Sequence, residues 1–325
     1  MESELTGFSA EKTLVRAHHA AIEGADPGNI AAALTEHTAP DWHWRGMCPF
    51  DERHGAADVA EIFWAPLLNA VTSMQRREDI FFAGRNSLDG SGTVWVVSMG
   101  HLMGLFDRQW LGIRPTRKLV MLRYAEFHRV EDGRIAETAQ FLDIPHLMTQ
   151  AGQLPFGPAT AQHLVQPGPR THDGLLREPQ PAAEGEATLA LIDAMIGDIG
   201  TWGLGLPLEE ELRRTWAEDM LWWGPEGIGA TYTIPRYAAQ HSGPFRAAFT
   251  DRQPSRHTAR LAEGHYGGFF GWPSFTARPT GGFMGLPGSE RTAEFRVVDI
   301  YRRAGDRLAE NWVFIDILHF LRTQG

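Results

Sequence analysis

Hydrophobic residues along this chain follow two kinds of spacing, and each half of the chain uses them in the same order. Apolar side chains first recur at the three- and four-residue spacing of a helix, and later they alternate with polar ones as in a strand. Helices followed by a run of antiparallel strands are typical of the α+β fold class. The predicted helices cover 11–23, 56–72, 186–199, 207–217 and 234–249, and the predicted strands cover 42–45, 77–84, 93–106, 117–130, 134–144, 220–223, 256–263, 267–276, 291–304 and 307–317.

A short stretch of the chain occurs twice. Residues 141–146 recur at 314–319 with only small changes, and each copy contains an aspartate, Asp143 or Asp316, followed three residues later by a histidine. The offset of 173 residues between the two aspartates also aligns residues 93–148 with the second half without a gap. Self-similarity over a period this long indicates a duplicated domain and not a solenoid.

The duplication divides the chain into three segments. Residues 1–153 are predicted to form the first domain and residues 186–325 the second. Residues 154–185 contain six prolines and few apolar anchors, so they are predicted to be a semi-rigid linker on the surface.

The composition excludes several classes of function. A net charge of −10 argues against nucleic acid or an anionic membrane as a partner, since both attract basic surfaces. No apolar run is long enough to span a bilayer, and the acidic first residues do not resemble a signal peptide. Cys48 is the only cysteine, which fits a reducing cytoplasm and excludes a cysteine-based zinc site. The 11 tryptophans and 18 phenylalanines suggest an interior lined by aromatic rings.

The order of these features resembles the SnoaL-like polyketide cyclases, within the nuclear transport factor 2-like superfamily. The resemblance is carried by the tryptophan-rich strand and turn at 222–225, by the glycine turns at 110–113 and 283–288, and by the strand–turn–strand ending at 129–135. It implies that each domain is a cone-shaped α+β barrel, in which a curved antiparallel sheet wraps around N-terminal helices and encloses an apolar pocket. It also implies chemistry without a metal or another cofactor.

An aspartate near the end of the last strand is the general acid/base that this resemblance implies, and Asp143 and Asp316 match its position. Strand alternation places Asp143 on the same face as Phe141, where desolvation would raise the pKa of the carboxyl group toward neutrality. The alternative is structural, because each aspartate also precedes a short helical segment and can cap its N-terminus. The sequence leaves both roles open.

Two further acids share the 173-residue offset, Glu126 and Asp299, one strand earlier in each copy. Together with the repeated aspartates they could form a two-carboxylate site, although a solvated strand face explains them as well. His101 is a further polar candidate in the first copy alone. His146 and His319 could lie beside the aspartates or simply begin a helix, and no metal site is predicted from them.

The candidate residues fall into two sets. The catalytic candidates are Asp143, Asp316, Glu126 and His101. The predicted substrate pockets contain Trp42, Trp44, Trp95, Tyr124, Phe141 and His146 in the first copy, and Trp222, Trp223, Asp299, Trp312 and His319 in the second.

The leading functional hypothesis is a cofactor-free acid/base enzyme of the aldol cyclase, isomerase or dehydratase type, acting on a small hydrophobic carbonyl or polyketide-like compound. One alternative is a module of the same fold that only binds a small hydrophobic ligand. Another is epoxide opening or hydration, for which Asp143, Arg123 and Glu126 would supply the carboxylate–arginine–carboxylate cluster. The two domains are expected to pair through their sheets as an intramolecular pseudo-dimer, and homodimerisation stays open.

Overall fold

The computed structural model divides into two compact units, which we call the N-terminal and the C-terminal unit. The N-terminal unit runs from residue 7 to the proline-rich segment and includes residues 170–179, whereas the C-terminal unit contains the residues before 7, residues 156–169 and the chain from 180 onward. No helix among the described residues is long and apolar enough to cross a membrane. The residues that the structure describes are 4–153, 156–157, 159–162, 164–200 and 205–324.

The N-terminal unit places its helices before a six-stranded sheet of order β2-β1-β6-β5-β4-β3. Neighbouring strands are antiparallel except for β1 and β6, which are parallel. A π-helical turn, Ala60–Trp64, separates α3 from α4. The elements are α1 (Ser9–Glu23), α2 (Ile30–His37), β1 (Thr38–Gly46), β2 (Glu52–His54), α3 (Ala56–Val59), α4 (Ala65–Ala70), β3 (Val71–Arg85), β4 (Val94–Phe106), β5 (Leu119–Glu131), β6 (Arg134–Leu142) and α5 (Ile144–Gln150).

The buried face of α1 is only partly apolar. Val15 and Ile22 are buried on it as the helical pattern requires, but His18 and His19 are buried there too. Because a buried polar ring is costly unless it has partners, these histidines must meet polar groups inside the unit.

The C-terminal unit repeats this design with the sheet order β10-β11-β12-β13-β7-β8, and β9 pairs with β11. A π-helical turn, Ala238–Ser242, again interrupts the helical segment that precedes the long strands. The elements are α6 (Ala182–Gly200), α7 (Leu208–Leu212), β7 (Trp216–Trp223), β8 (Ala230–Tyr232), α8 (Ile234–Tyr237), α9 (Gly243–Ala248), β9 (Thr250–Pro254), β10 (Ala259–Glu263), β11 (Tyr266–Arg278), β12 (Ala293–Ala304), β13 (Arg307–Ile315) and α10 (Ile317–Gln324).

The two units confirm the α+β prediction and the duplication. In each unit the strand that leads to the repeated aspartate lies between its antiparallel hairpin partner and a parallel first strand: β6 lies between β5 and β1, and β13 between β12 and β7. Several predicted elements have other bounds in the structure: the strands predicted at 42–45, 77–84 and 220–223 are longer, and one helix is shorter. The helix expected at 207–217 ends at Leu212, because Trp216 already pairs with Leu308 in the parallel ladder of β7 and β13.

The proline-rich segment makes defined contacts within both units. In the C-terminal unit, the indole Nε1 of Trp312 donates a 3.0 Å hydrogen bond to the carbonyl of Pro167. In the N-terminal unit, the backbone of Phe81 in β3 pairs with Gly174 and Leu176 at 2.8 Å each. These contacts explain why residues 156–169 and 170–179 belong to different units.

Candidate functional site

The C-terminal unit contains a cavity of about 180 Å³, which we call the aromatic cavity. Its walls come from α6, the π-helical turn and the concave strands β11 to β13. Aromatic and aliphatic side chains form most of the wall, and a few polar groups interrupt it. The lining residues include Met195, Ile196, Ile199, Leu212, Trp216, Trp222, Tyr237, His241, Phe245, Arg246, Arg252, His257, Phe269, Ser274, Phe275, Val297, Asp299, Tyr301, Asn311, Val313 and Ile315.

Asp299 is the carboxylic acid in this wall. It lies on β12, and the amide Nδ2 of Asn311 donates a 3.3 Å hydrogen bond to its Oδ1. Desolvation in the apolar surroundings raises the pKa of Asp299 to about 6, although hydrogen bonds from Asn311 and Tyr301 oppose the rise. Asp299 can therefore exchange a proton near neutral pH, as a general acid/base must.

The histidines of the aromatic cavity stay neutral. His241 stacks on Trp222 with ring centroids 3.8 Å apart, and burial lowers its pKa to about 3. His257 stacks on Phe269 at 4.0 Å, and burial together with the charge of Arg260 lowers its pKa to about 3. Among the described lining groups, Asp299 is therefore the one whose pKa is shifted into the neutral range.

A smaller hollow of about 140 Å³ adjoins the aromatic cavity. His241 and Phe245 line both spaces and so form the partition between them. The far side of this second hollow is built from Thr160, Ile228 and the turn at 282–285. We therefore expect a smaller side chain at Phe245 to connect the two spaces.

The repeated aspartates act as helix N-caps. The Oδ1 of Asp143 accepts a 3.1 Å hydrogen bond from the backbone N–H of His146, and Asp316 accepts one of the same length from His319. Both carboxylates are buried, and the Oδ2 of Asp316 lies 3.7 Å from Nη1 of Arg296. Capping is thus the role that the geometry of both aspartates shows directly.

The predicted pocket of the second copy is only partly assembled around the aromatic cavity. Trp222 and Asp299 line it, whereas Trp223, Trp312, Asp316 and His319 are not among its described lining residues. The Trp312 indole is directed to the Pro167 carbonyl, and Nε2 of His319 lies 3.0 Å from Oε2 of Glu294.

The N-terminal unit has a buried polar network at the place that corresponds to the cavity. Nη1 of Arg76 lies 2.7 Å from Oε2 of Glu126, and Nε2 of Gln140 donates a 2.9 Å hydrogen bond to Oε1. His19 and His128 also approach Oε2, at 3.1 and 3.5 Å. Burial alone would raise the pKa of Glu126, but the charge of Arg76 and the hydrogen bonds from His128 and His19 hold it well below its usual range.

The predicted tryptophans of the first copy support this network. The indole of Trp44 donates a 3.1 Å hydrogen bond to Gln140, and the indole of Trp42 donates one of 3.0 Å to Thr138. The remaining candidates lie around it. Tyr124 shares a 2.9 Å hydrogen bond with Ser98, Trp95 donates to Thr93, His101 lies 3.4 Å from Asp79, and Phe141 and His146 are buried.

The two units therefore use matching positions differently. At the shared offset of 173 residues, Glu126 corresponds to Asp299 and His128 to Tyr301, while Thr138 and Gln140 correspond to Asn311 and Val313. Polar side chains fill the space in the N-terminal unit. In the C-terminal unit the four matching residues line the aromatic cavity, and Val313 is the apolar one among them.

Comparisons with known proteins agree with a duplicated chain. Residues 15–138 match the family model described as the SnoaL-like domain, and residues 268–323 match the one described as SnoaL-like polyketide cyclase. The chain is a tandem SnoaL-like protein. No curated protein matched it.

Solved structures with a similar fold each cover less than half of this chain. AclR, a candidate hydroxylase from Streptomyces galilaeus, is 20% identical and covers 47% of this chain and 91% of its own, with a TM-score of 0.38. A candidate SnoaL-like polyketide cyclase from Jannaschia sp. CCS1 is 19% identical and covers 45% and 94%, with a TM-score of 0.34. A nuclear transport factor 2-like protein from Burkholderia thailandensis is 26% identical and covers 44% and 96%, with a TM-score of 0.33.

Proposed function

We propose that the C-terminal unit is a cofactor-free acid/base enzyme of the cyclase or isomerase type, acting on a small hydrophobic carbonyl compound with Asp299 as the acid/base. One observation carries the proposal: a carboxyl group with a pKa of about 6 stands in the wall of an aromatic cavity. Apolar cavities that hold a few convergent polar groups and a group of perturbed pKa are the usual form of an active site.

The chemistry follows from the protonation states in the aromatic cavity. The Asp299 carboxylate removes a proton from the carbon next to a substrate carbonyl, and the bonding electrons move onto the carbonyl oxygen to give an enolate. Arg252 lines the same cavity, and its positive charge stabilises that enolate, while Arg246 is paired with Glu211. The protonated Asp299 then returns the proton to another atom. The result is an isomerisation, or a ring closure when the enolate carbon attacks a second carbonyl.

The size of the aromatic cavity limits the substrate. A cavity of roughly 150 Å³ holds one benzene-sized ring, and the aromatic cavity measures about 180 Å³. The substrate therefore has one ring or a comparable short chain, unless it also enters the second hollow. The aromatic side chains of the wall, Trp222 and Phe275 among them, favour an aromatic or otherwise flat molecule.

The SnoaL-like resemblance implies an acid/base at the position of Asp316, and the proposal assigns this role to Asp299. Asp316 caps α10 and lies 3.7 Å from Arg296. Asp299 faces the aromatic cavity and is drawn toward its neutral form. A carboxyl group that can take either form near pH 7 suits proton transfer.

The proposal can be tested before the natural substrate is identified. A panel of one-ring and two-ring ketones is first screened for quenching of tryptophan fluorescence, since Trp216 and Trp222 line the cavity. Compounds that bind are then incubated in D₂O, and exchange of the protons next to the carbonyl is followed by NMR. An enzyme exchanges these protons faster than buffer does. A module that only binds its ligand quenches fluorescence without exchange, and that result would reject the proposal.

A further inference from the structure

We propose that the N-terminal unit binds one divalent transition-metal ion of the zinc type, with His19, Glu126 and His128 as three ligands of a tetrahedral site. The ligand atoms are Nε2 of both histidines and Oε2 of Glu126, and all three residues are buried. The inference is independent of the acid/base function proposed for the other unit.

The distances between the three ligand atoms fit a tetrahedral ion. Nε2 of His19 lies 3.4 Å from Nε2 of His128 and 3.1 Å from Oε2 of Glu126, and Nε2 of His128 lies 3.5 Å from the same oxygen. Zinc bonds of ~2.0–2.1 Å at tetrahedral angles separate neighbouring ligands by about 3.3–3.4 Å. An octahedral ion with bonds of the same length would bring them closer, to about 3.0 Å. One ion can therefore reach all three atoms almost without rearrangement.

The groups that contact the other nitrogen or oxygen of each ligand side chain are also typical of a metal site. Metal-binding histidines usually engage their other ring nitrogen with a carboxylate or another polar group, which fixes the orientation of the ring. Nδ1 of His128 lies 2.9 Å from Oγ1 of Thr138, and Nδ1 of His19 lies 3.7 Å from Oε1 of Glu78. The other carboxylate oxygen of Glu126 accepts a hydrogen bond from Gln140. Hydrogen bonds thus hold His128 and Glu126 from behind, and the Glu78 carboxylate stands near the far side of His19.

Hydrogen bonds alone account less well for this cluster. Oε2 of Glu126 is approached by Arg76, His19 and His128, three nitrogens around an oxygen that offers about two lone pairs. An ion would give both imidazoles and the carboxylate a common partner. The charges of the surrounding groups permit such an ion. The two carboxylates of Glu78 and Glu126, the guanidinium of Arg76 and a dication together carry one net positive charge.

At the positions that the duplication matches, the N-terminal unit has the metal ligands and the C-terminal unit does not. The C-terminal unit has Asp299 in place of Glu126, but Tyr301 in place of His128. A neutral tyrosine is a poor ligand for zinc compared with an imidazole. One ion per chain is therefore expected, and not two.

Zinc and cobalt binding to the untagged full-length chain, after removal of metal by a chelator, tests the inference. We expect one Zn²⁺ per chain, and Co²⁺ in its place should show the intense visible absorption of tetrahedral cobalt. His128→Gln should weaken binding by at least about 100-fold, and Thr138→Val, which removes the support of His128 and also the acceptor of the Trp42 indole N–H, by about 10–100-fold. His54→Gln is the matched control, because His54 stacks on His43 at the surface and could bind metal adventitiously.

Three results would overturn the inference. They are a folded wild-type chain that binds no Zn²⁺, a weak octahedral cobalt spectrum, and binding that is lost in His54→Gln but kept in His128→Gln. The wild-type cobalt spectrum decides alone if His128→Gln does not fold. None of these results bears on proton exchange at Asp299, so the two proposals fail separately.

Discussion

Glu126 and Asp299 occupy the same place in their two sheets, Glu126 opposite Gln140 and Asp299 opposite Val313. The surroundings give the two acids opposite properties. Arg76 and the buried histidines hold the pKa of Glu126 well below its usual range, whereas desolvation raises that of Asp299 to about 6. The duplicated position is thus a fixed charge in one unit and a proton donor and acceptor in the other.

The raised pKa of Asp299 makes stability depend on pH. The folded pKa of about 6 lies above the unfolded value of ~3.9. The proton on Asp299 therefore stabilises the fold fully below about pH 4, and this contribution is lost as the pH rises through 6. Asp299→Asn, which cannot ionise, should be more stable than wild type by about 2–3 kcal/mol at pH 8 and nearly equal to it at pH 4.

Urea denaturation at the two pH values measures this difference. The matched control is Asp219→Asn, since Asp219 is exposed on β7 of the same unit. If Asp299→Asn and Asp219→Asn change the free energy of unfolding equally at pH 8, Asp299 is not desolvated and the argument for its raised pKa fails.

The network around Glu126 should contribute strongly to stability. Glu126→Gln leaves the buried guanidinium of Arg76 without its opposite charge, which typically costs about 3–5 kcal/mol. Glu131→Gln removes an exposed acid of the same strand and should stay within about 0.5 kcal/mol of wild type. Urea denaturation at pH 7 compares the two variants, and an equal effect of both would show that the buried pair is not stabilising.

Asp143 should stabilise its unit in two separable ways. Burial lowers the pKa of Arg123 to about 9, and the nearby charge of Asp143 opposes this shift. Asp143→Asn keeps a capping oxygen but removes the charge, so its cost, expected to be about 2 kcal/mol or more, reports on Arg123. Asp143→Ala removes the cap as well and should cost about 1 kcal/mol more. The prediction fails if Asp143→Asn and the wild type have the same melting temperature in thermal denaturation.

Phe245 should determine the length of the ligand. Phe245→Leu shortens the partition between the aromatic cavity and the second hollow, so two-ring ketones should gain about tenfold in affinity relative to one-ring ketones. Phe249→Leu is the control, because Phe249 packs 4.6 Å from Phe245 and lines neither space. Fluorescence quenching titrations measure the affinities for one-ring and two-ring ketones. If Phe249→Leu shifts their ratio as much as Phe245→Leu does, looser packing of the aromatic core is responsible and not the shortened partition.

The sequence alone was sufficient for the parts of the fold that depend on local pattern. The alternation from residue 93 onward predicted an antiparallel run of strands, and the 173-residue offset predicted the common position of the two aspartates. The end of α7 could not be predicted in this way, because the pairing of Trp216 with Leu308 joins segments far apart in the sequence.

The candidate sites were less accessible to sequence reasoning. Arg76 stands in an alternating polar run that looks exposed, and it is buried because Glu126 lies opposite in the folded unit. The aromatic cavity is formed by residues from many elements, and Asp299 could be placed among them only as the counterpart of Glu126. His18 and His19 within the apolar stripe of α1 were the one local signal of a buried polar site.

The central claim is that Asp299, and not Asp316, transfers the proton. The most direct test compares exchange of ketone α-protons in D₂O between wild type, Asp299→Asn and Asp316→Asn, with ligand binding measured in parallel. We predict that Asp299→Asn binds the ketone but exchanges its protons about 10²–10⁴-fold more slowly, whereas Asp316→Asn keeps the helix cap and the wild-type rate. Loss of exchange in Asp316→Asn with a normal rate in Asp299→Asn would contradict the account.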